Sequence, residues 1–284
     1  MKLSQTRIAT LLAILVVMSS GCGIVNRVRA KNQLNEAARA YREGHFTEAE
    51  QYSRRALELD PESKSAPAFI ARTIHAQYRP GVQSPENIAK ANEAISAYQQ
   101  ILQKDPSNDE AYKAIAYLLG AIKEDEKLKN WITSRATDAN VDATKRSEAY
   151  VVLASKDWDC SFKVTELPTN KTVTVGAGNR GTVSYKKPSD QKEFATIQAC
   201  VKRGLEEAEN AIKLDPNSEA AWSYKTNLLG EAVKLAEMDG KMDQKTELEK
   251  QRDVAQKRTN ELAAAAQKKK EEEAAKAAAS PAKR

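Results

Sequence analysis

The chain has 284 residues, 30% of them charged and 6% aromatic, with a formal net charge of +6 at neutral pH. That length can bury a sizeable core. So few aromatics among so much charge argue against a β-sandwich or a compact α/β enzyme and favour a helical array with solvated faces. The modest positive charge, spread over this length, is weak support for a polyanionic partner.

The first segment is an address. Lys2 and Arg7 give a basic start, residues 8–18 are an apolar stretch too short to span a bilayer, and Ser19, Ser20 and Gly21 supply small residues before Cys22. This is the pattern of a secretory signal. A small residue directly before cysteine resembles the cleavage site of bacterial lipoproteins. In that family Cys22 would become the mature N-terminus and carry lipid; the alternative is an ordinary secreted protein. Gly23 stands where inner-membrane lipoproteins often have Asp, which leans towards the outer membrane facing the periplasm. The expected division is a signal peptide over 1–21 and a tether over 22–33, leaving 262 residues after Cys22 and a mature charge near +4. Export argues against nucleic acid as a partner.

From residue 34 the chain repeats itself. Leu34, Ala37, Ala38 and Tyr41 make one helical stripe, and Ala49, Tyr52, Ala56 and Leu59 make the next. Gly44 ends the first helix, where a left-handed residue costs least. Three segments finish with an apolar pair and an Asp-Pro stop, at Pro61, Pro106 and Pro216. Proline cannot continue a helix and drives its predecessor out of the α region. Gly44, Ala49, Ala56 and Pro61 together resemble the tetratricopeptide repeat, a helix-turn-helix unit of about 34 residues. A second unit has Ile70, Ala71 and Ile74 on one helix and Ala94, Tyr98 and Leu102 on the other. It is lengthened by a turn-rich loop at 78–85. Tyr112, Ile115, Ala116 and Leu119, with Leu128, Trp131 and Ile132, form a degenerate third unit.

The fourth unit is split. Ala149, Val152 and Leu153 lie on a helix expected to end near Lys156. Thr172 to Val175 and Thr182 to Tyr185 read as a β-hairpin joined by the glycine-rich residues 176–181. A helix capped by Ser189 or Asp190 follows, with Phe194, Ile197, Val201, Leu205, Ala208 and Ile212 on one face. A fifth unit starts at Glu219 with Trp222 and Leu229, and Leu248, Val254 and Leu262 mark a capping helix. The expected fold is all-α: a tetratricopeptide-type helical-hairpin superhelix over 34–240, interrupted by a small β-hairpin insert at 157–189, a capping helix over 241–265, and a charged low-complexity tail over 266–284.

Little here could carry chemistry. His45 and His75 have no ligand at metal spacing, the glycine run joins strands rather than cradling phosphate, and no cofactor, metal or small-molecule substrate is expected. Cys160 and Cys200 bracket the insert. In an oxidising compartment they are expected to form a disulfide, the alternative being two buried thiols. Trp158 is either a displayed anchor or packing beneath the hairpin or on the disulfide. The family lines its groove with the first helix of each unit, which by that register implies Tyr41, Arg42, Arg72, His75, Lys113, Tyr117 and Asn227. Such a mixture suits an acidic extended peptide. The resemblance thus implies a non-catalytic, lipid-anchored envelope scaffold with protein or peptide partners. The alternatives are outer-membrane protein assembly or pilus-secretin piloting, and an enzyme or redox protein using Cys160 of the insert.

Overall fold

A computed structural model describes the backbone of residues 5–175 and 181–279, and the side chains of 23–175 and 181–276. Cys22, the expected lipid site, therefore lies outside the residues whose side chains are described, as does most of the hairpin loop. The chain divides into two compact units, Met1–Leu128 and Lys129–Arg284.

Unit 1 holds α1 (Gln5–Arg42), α2 (Phe46–Leu59), α3 (Ala66–Gln77), α4 (Pro85–Lys104) and α5 (Asp109–Ala121), each packed on the helix before it. Alanine makes this close packing possible: Ala37, Ala49, Ala56, Ala71, Ala91 and Ala94 are fully buried between helices. At the first hairpin it is Ala37 and Ala40 that are buried, whereas Ala38 is half-exposed. The segment expected as a tether is helical, and its Ala30 is buried against Ala56 and Ala66.

The Asp-Pro stops share one geometry. Asp60, Asp105 and Asp215 have φ/ψ of −135°/86°, −134°/84° and −138°/90°, outside the α region as a following proline demands. Each aspartate carbonyl then accepts the amide three residues on, from Ser63, Asn108 and Ser218. In two of the turns that third residue is itself the cap of the next helix: Asn108 accepts from Ala111 N–H and Ser218 from Ala221 N–H. One short phrase therefore stops a helix, reverses the chain and starts the next helix.

The opposite turns end in a left-handed residue, with the following amide bonded back to a carbonyl five residues earlier. Gly44 (φ 82°) sends His45 N–H to the Ala40 carbonyl, and Gly240 (φ 67°) sends Lys241 N–H to that of Ala236. The same motif after α5 uses Lys123 (φ 62°), with Glu124 N–H bonded to the Leu119 carbonyl.

Helix α6 (Asp125–Thr137) buries Leu128, Ile132 and Ala136. Unit 2 continues with α7 (Ala143–Thr165), β1 (Lys171–Val175), β2 (Gly181–Tyr185), α8 (Gln191–Leu214), α9 (Glu219–Met238) and α10 (Met242–Ala279). The two strands pair antiparallel with Val173 opposite Val183. Helix α7 runs nine residues past its expected end at Lys156. Its buried face there is polar, Asp157, Ser161 and Thr165, so the apolar periodicity stops while the helix does not. Asp190 is the cap of α8, accepting from Lys192 N–H. Gly204 permits the meeting of α7, α8 and α9: a Cβ there would lie 2.7 Å from Leu228 Cδ2 and 3.0 Å from Asp157 Cβ. On α10 the covering residues are Leu248 and Ala255, whereas Val254 faces solvent at 67% exposure. That helix continues to Ala279, its outer turns supported by pairs such as Gln267 with Glu271. The chain is thus all-α, built of tetratricopeptide-type helical hairpins with one small β-hairpin. Among the described residues no helix is long and apolar enough to cross a membrane.

Candidate binding surfaces

In unit 1, one turn of α3 carries Arg72 and His75 on the same side. The His75 ring lies 5.9 Å from the ring of Tyr98 on α4 and 5.6 Å from that of Tyr117 on α5, and its Nδ1 is 3.3 Å from the Tyr98 hydroxyl. Burial pushes the imidazole below its ordinary value, so it is neutral at pH 7, and burial pushes the Tyr98 phenol up to about 12. His75 is therefore a neutral ring in an aromatic ladder, of which Tyr117 is the exposed end at 51%.

Two of the cations expected in this groove, Arg72 and Lys113, are already matched. Arg72 donates to Glu110 Oε1 at 2.7 Å across from α3 to α5, which raises its pKa further, and Lys113 lies 2.7 Å from Asp109. Tyr41 stands against Phe46 across the Gly44 turn, ring centres 5.2 Å apart, and Arg42 is exposed. The face is a mosaic of aromatic rings and closed ion pairs rather than a bare basic strip. Glu110 and Tyr98 were not among the expected groove residues; Glu110 lies 38 positions from Arg72, and only the packing of α3 with its successors brings the two together.

Unit 1 also contains a cavity of about 640 Å³ lined by Phe46, Thr47, Gln77, Arg79 and Lys90. Buried Asn87 shapes its rim, accepting from Arg79 N–H and donating to the carbonyls of Arg79 and Val82. That clamp ties the loop backbone at Arg79 and Val82 to α4.

Unit 2 holds Asn227 on α9, exposed, at the edge of a second cavity of about 700 Å³ between α7 and α9. Trp158 lines it. That residue belongs to α7, not to the insert, and packs on Phe162 at 4.7 Å, on Tyr224 at 6.2 Å and against Ala154, Ala208 and Leu228.

Two polar networks hold unit 2 together, and neither was legible beforehand. At the hairpin base, buried Glu231 accepts from the Ser161 and Thr165 hydroxyls, each at 2.8 Å, and from Lys234 at 2.6 Å. Lys234 also donates to Glu166, which Lys171 and the Tyr185 hydroxyl reach from the strands. Hydrogen bonds from Lys171 and Lys234 hold the Glu166 carboxyl at about 2. The Lys234 ammonium lies 5.2 Å from the Phe162 ring centre and 5.0 Å from that of Tyr185. In the second network Arg203 grips Asp157 with two hydrogen bonds. Burial, then the charge of Asp157 and a hydrogen bond to it, push Glu207 up to about 8. Beside them Cys160 on α7 and Cys200 on α8 form a disulfide, Cα atoms 6.3 Å apart. The bond joins the two helices that flank the hairpin, and it occupies the thiol considered as a nucleophile. Among the described residues no group of three His, Cys, Asp or Glu side chains could hold a metal ion.

No protein-family model matches the chain, and no curated protein matches it. Solved structures do. MamA 41-end from Desulfovibrio magneticus RS-1 is 15% identical over 78% of this chain and 94% of its own, with a TM-score of 0.33. A tetratricopeptide repeat protein from Parabacteroides merdae is 13% identical over 82% and 93%, TM-score 0.35. The TPR2AB domain of yeast Sti1, solved with pHSP90, is 14% identical over 81% and 98%, TM-score 0.31. The fold class rests on this chain's own helical hairpins and their repeated turns.

Proposed function

We propose that this chain is a non-catalytic scaffold that binds protein or peptide segments, tethered by lipid on Cys22 to the bacterial envelope, at the outer membrane facing the periplasm. The observation that carries the binding half is the His75–Tyr98–Tyr117 ladder. Three helices fix its rings, Tyr117 stays half-exposed, and rigid aromatic surface of this kind is what protein contacts use. The ion pairs beside it, Arg72 with Glu110 and Lys113 with Asp109, supply a polar rim. The tether half rests on the residues before Cys22 and on a disulfide suited to an oxidising compartment.

The two halves are tested separately. Cells given an alkyne-bearing palmitate should label the full chain and not its Cys22→Ser variant; equal labelling of both, or none of either, removes the tether. For binding, Arg72→Glu with Lys113→Glu should weaken capture of a protein partner by the purified chain. Capture unchanged by that pair and by Tyr117→Ala would show that this face is not used.

A further inference from the structure

The cavity in unit 2 has a chemistry opposite to that of the whole chain. The protein carries a net charge of +6, yet the cavity's described lining contains three carboxylates, Glu148, Asp215 and Glu219, and no lysine, arginine or histidine. Glu148 and Glu219 are exposed at its rim, and Asp215 is half-buried at the Asp-Pro turn. One wall is aromatic. Trp158 and Tyr224 stand 6.2 Å apart at an interplanar angle of 63°, with Phe162 buttressing the indole from behind. Asn227 closes one side with an amide that can donate or accept.

Three occupants could be imagined for an acid-lined cavity. A metal ion needs ligands converging on one point, and no such group exists among the described residues. An acidic segment would meet three like charges. A long side chain ending in a cation meets everything present: aromatic faces for its charge and stem, and carboxylates spread around the mouth rather than gathered. Arginine fits better than lysine, because its planar guanidinium stacks on an indole while still reaching a carboxylate with a forked pair of donors. A volume of about 700 Å³ is ample for one such side chain and its flanking backbone.

We infer that the α7–α9 cavity takes an arginine-bearing peptide segment of a protein partner, its cations drawn to the aromatic wall of Trp158 and Tyr224 and to a mouth that carries Glu148, Asp215 and Glu219. This rests on the scaffold reading and specifies its partner at one site. The test is fluorescence anisotropy with the full chain and a labelled Gly-Ser peptide carrying spaced arginines, beside a matched peptide with glutamates in their place. The arginine peptide should bind and the glutamate peptide should not. Glu148→Gln with Glu219→Gln, both exposed and with the fold checked by circular dichroism, should weaken binding about tenfold or more. The surface pair Glu206→Gln with Glu261→Gln should leave it unchanged. Trp158→Phe, with Trp131 and Trp222 left in place, should reduce the change in indole emission on titration. Equal binding of both peptides, no binding of the arginine peptide, or binding indifferent to Glu148 and Glu219 would overturn the inference. The scaffold reading fails on different evidence, the absence of any protein contact at Tyr117 in cells.

Discussion

Lys123 is the residue most at odds with its backbone. It occupies the left-handed position that glycine fills at Gly44 and Gly240 in the same motif, and an L side chain there costs about 1 kcal/mol. Lys123→Gly should therefore raise stability by up to about 1 kcal/mol, read as a higher urea midpoint; a lower midpoint would mean the lysine makes a contact worth more than its strain. Glu207 sets a pH dependence. Its folded pKa of about 8 lies above the ordinary 4.5, so between those values the native state holds a proton that the unfolded chain has lost. Stability linked to this group is complete below about pH 4.5 and falls as pH rises towards 8. Glu166 runs the other way: held at about 2, it contributes above pH 4.5 and loses that contribution as pH falls towards 2. The melting temperature should thus peak on the acid side of neutrality, and Glu207→Gln should flatten the decline between pH 5 and 8. A decline of unchanged slope in that variant would place the effect elsewhere.

At the scale of elements, the sequence marked helix ends far better than helix faces. The Asp-Pro turns and Gly44 act through local backbone chemistry, so they are legible from a few adjacent residues. The second half of α7 is not, because its inward side chains are Asp157, Ser161 and Thr165, whose partners Arg203 and Glu231 lie 46 to 70 positions away. A rule that seeks apolar residues every third or fourth position stops at Leu153. The same failure misplaced Trp158 in the insert and chose Val254 over Ala255 on α10. Two predictions follow from these contacts. Glu231→Ala would leave the buried Ser161 and Thr165 hydroxyls without their carboxylate acceptor and Lys234 with Glu166 as its one remaining carboxylate, at a cost of about 3 kcal/mol. Amide exchange should then quicken across β1 and β2, which are anchored through Lys234 and Glu166; unchanged strand protection would show that the hairpin stands without this anchor. Reducing the disulfide reopens a loop with a sequence separation of 40, worth about 4 kcal/mol on the chain-entropy account. A denaturation midpoint insensitive to reductant would show that the helices already supply that constraint.

For the whole molecule, the helical-hairpin class was legible because one motif recurs, and recurrence is a stronger signal than any single helix. The binding surfaces were only partly so. Tyr41, Arg72, His75, Lys113 and Tyr117 could be placed on first helices by register. Their neutralising partners, and the half-buried neutral state of His75, depend on which helices pack together. Asn227 came from the same register but belongs to the other unit, where it borders an acidic cavity instead of a basic strip. The chemistry of a face made by several helices is set by residues far apart in the chain, which periodicity cannot pair.

The most direct test of the central claim is photo-crosslinking in living cells, with a benzophenone side chain at Tyr117 and, as a control, at exposed Lys127. The account predicts discrete adducts with one or a few proteins at Tyr117, absent at Lys127 and diminished by Arg72→Glu. No adduct at Tyr117, or the same adducts at both positions, would contradict it.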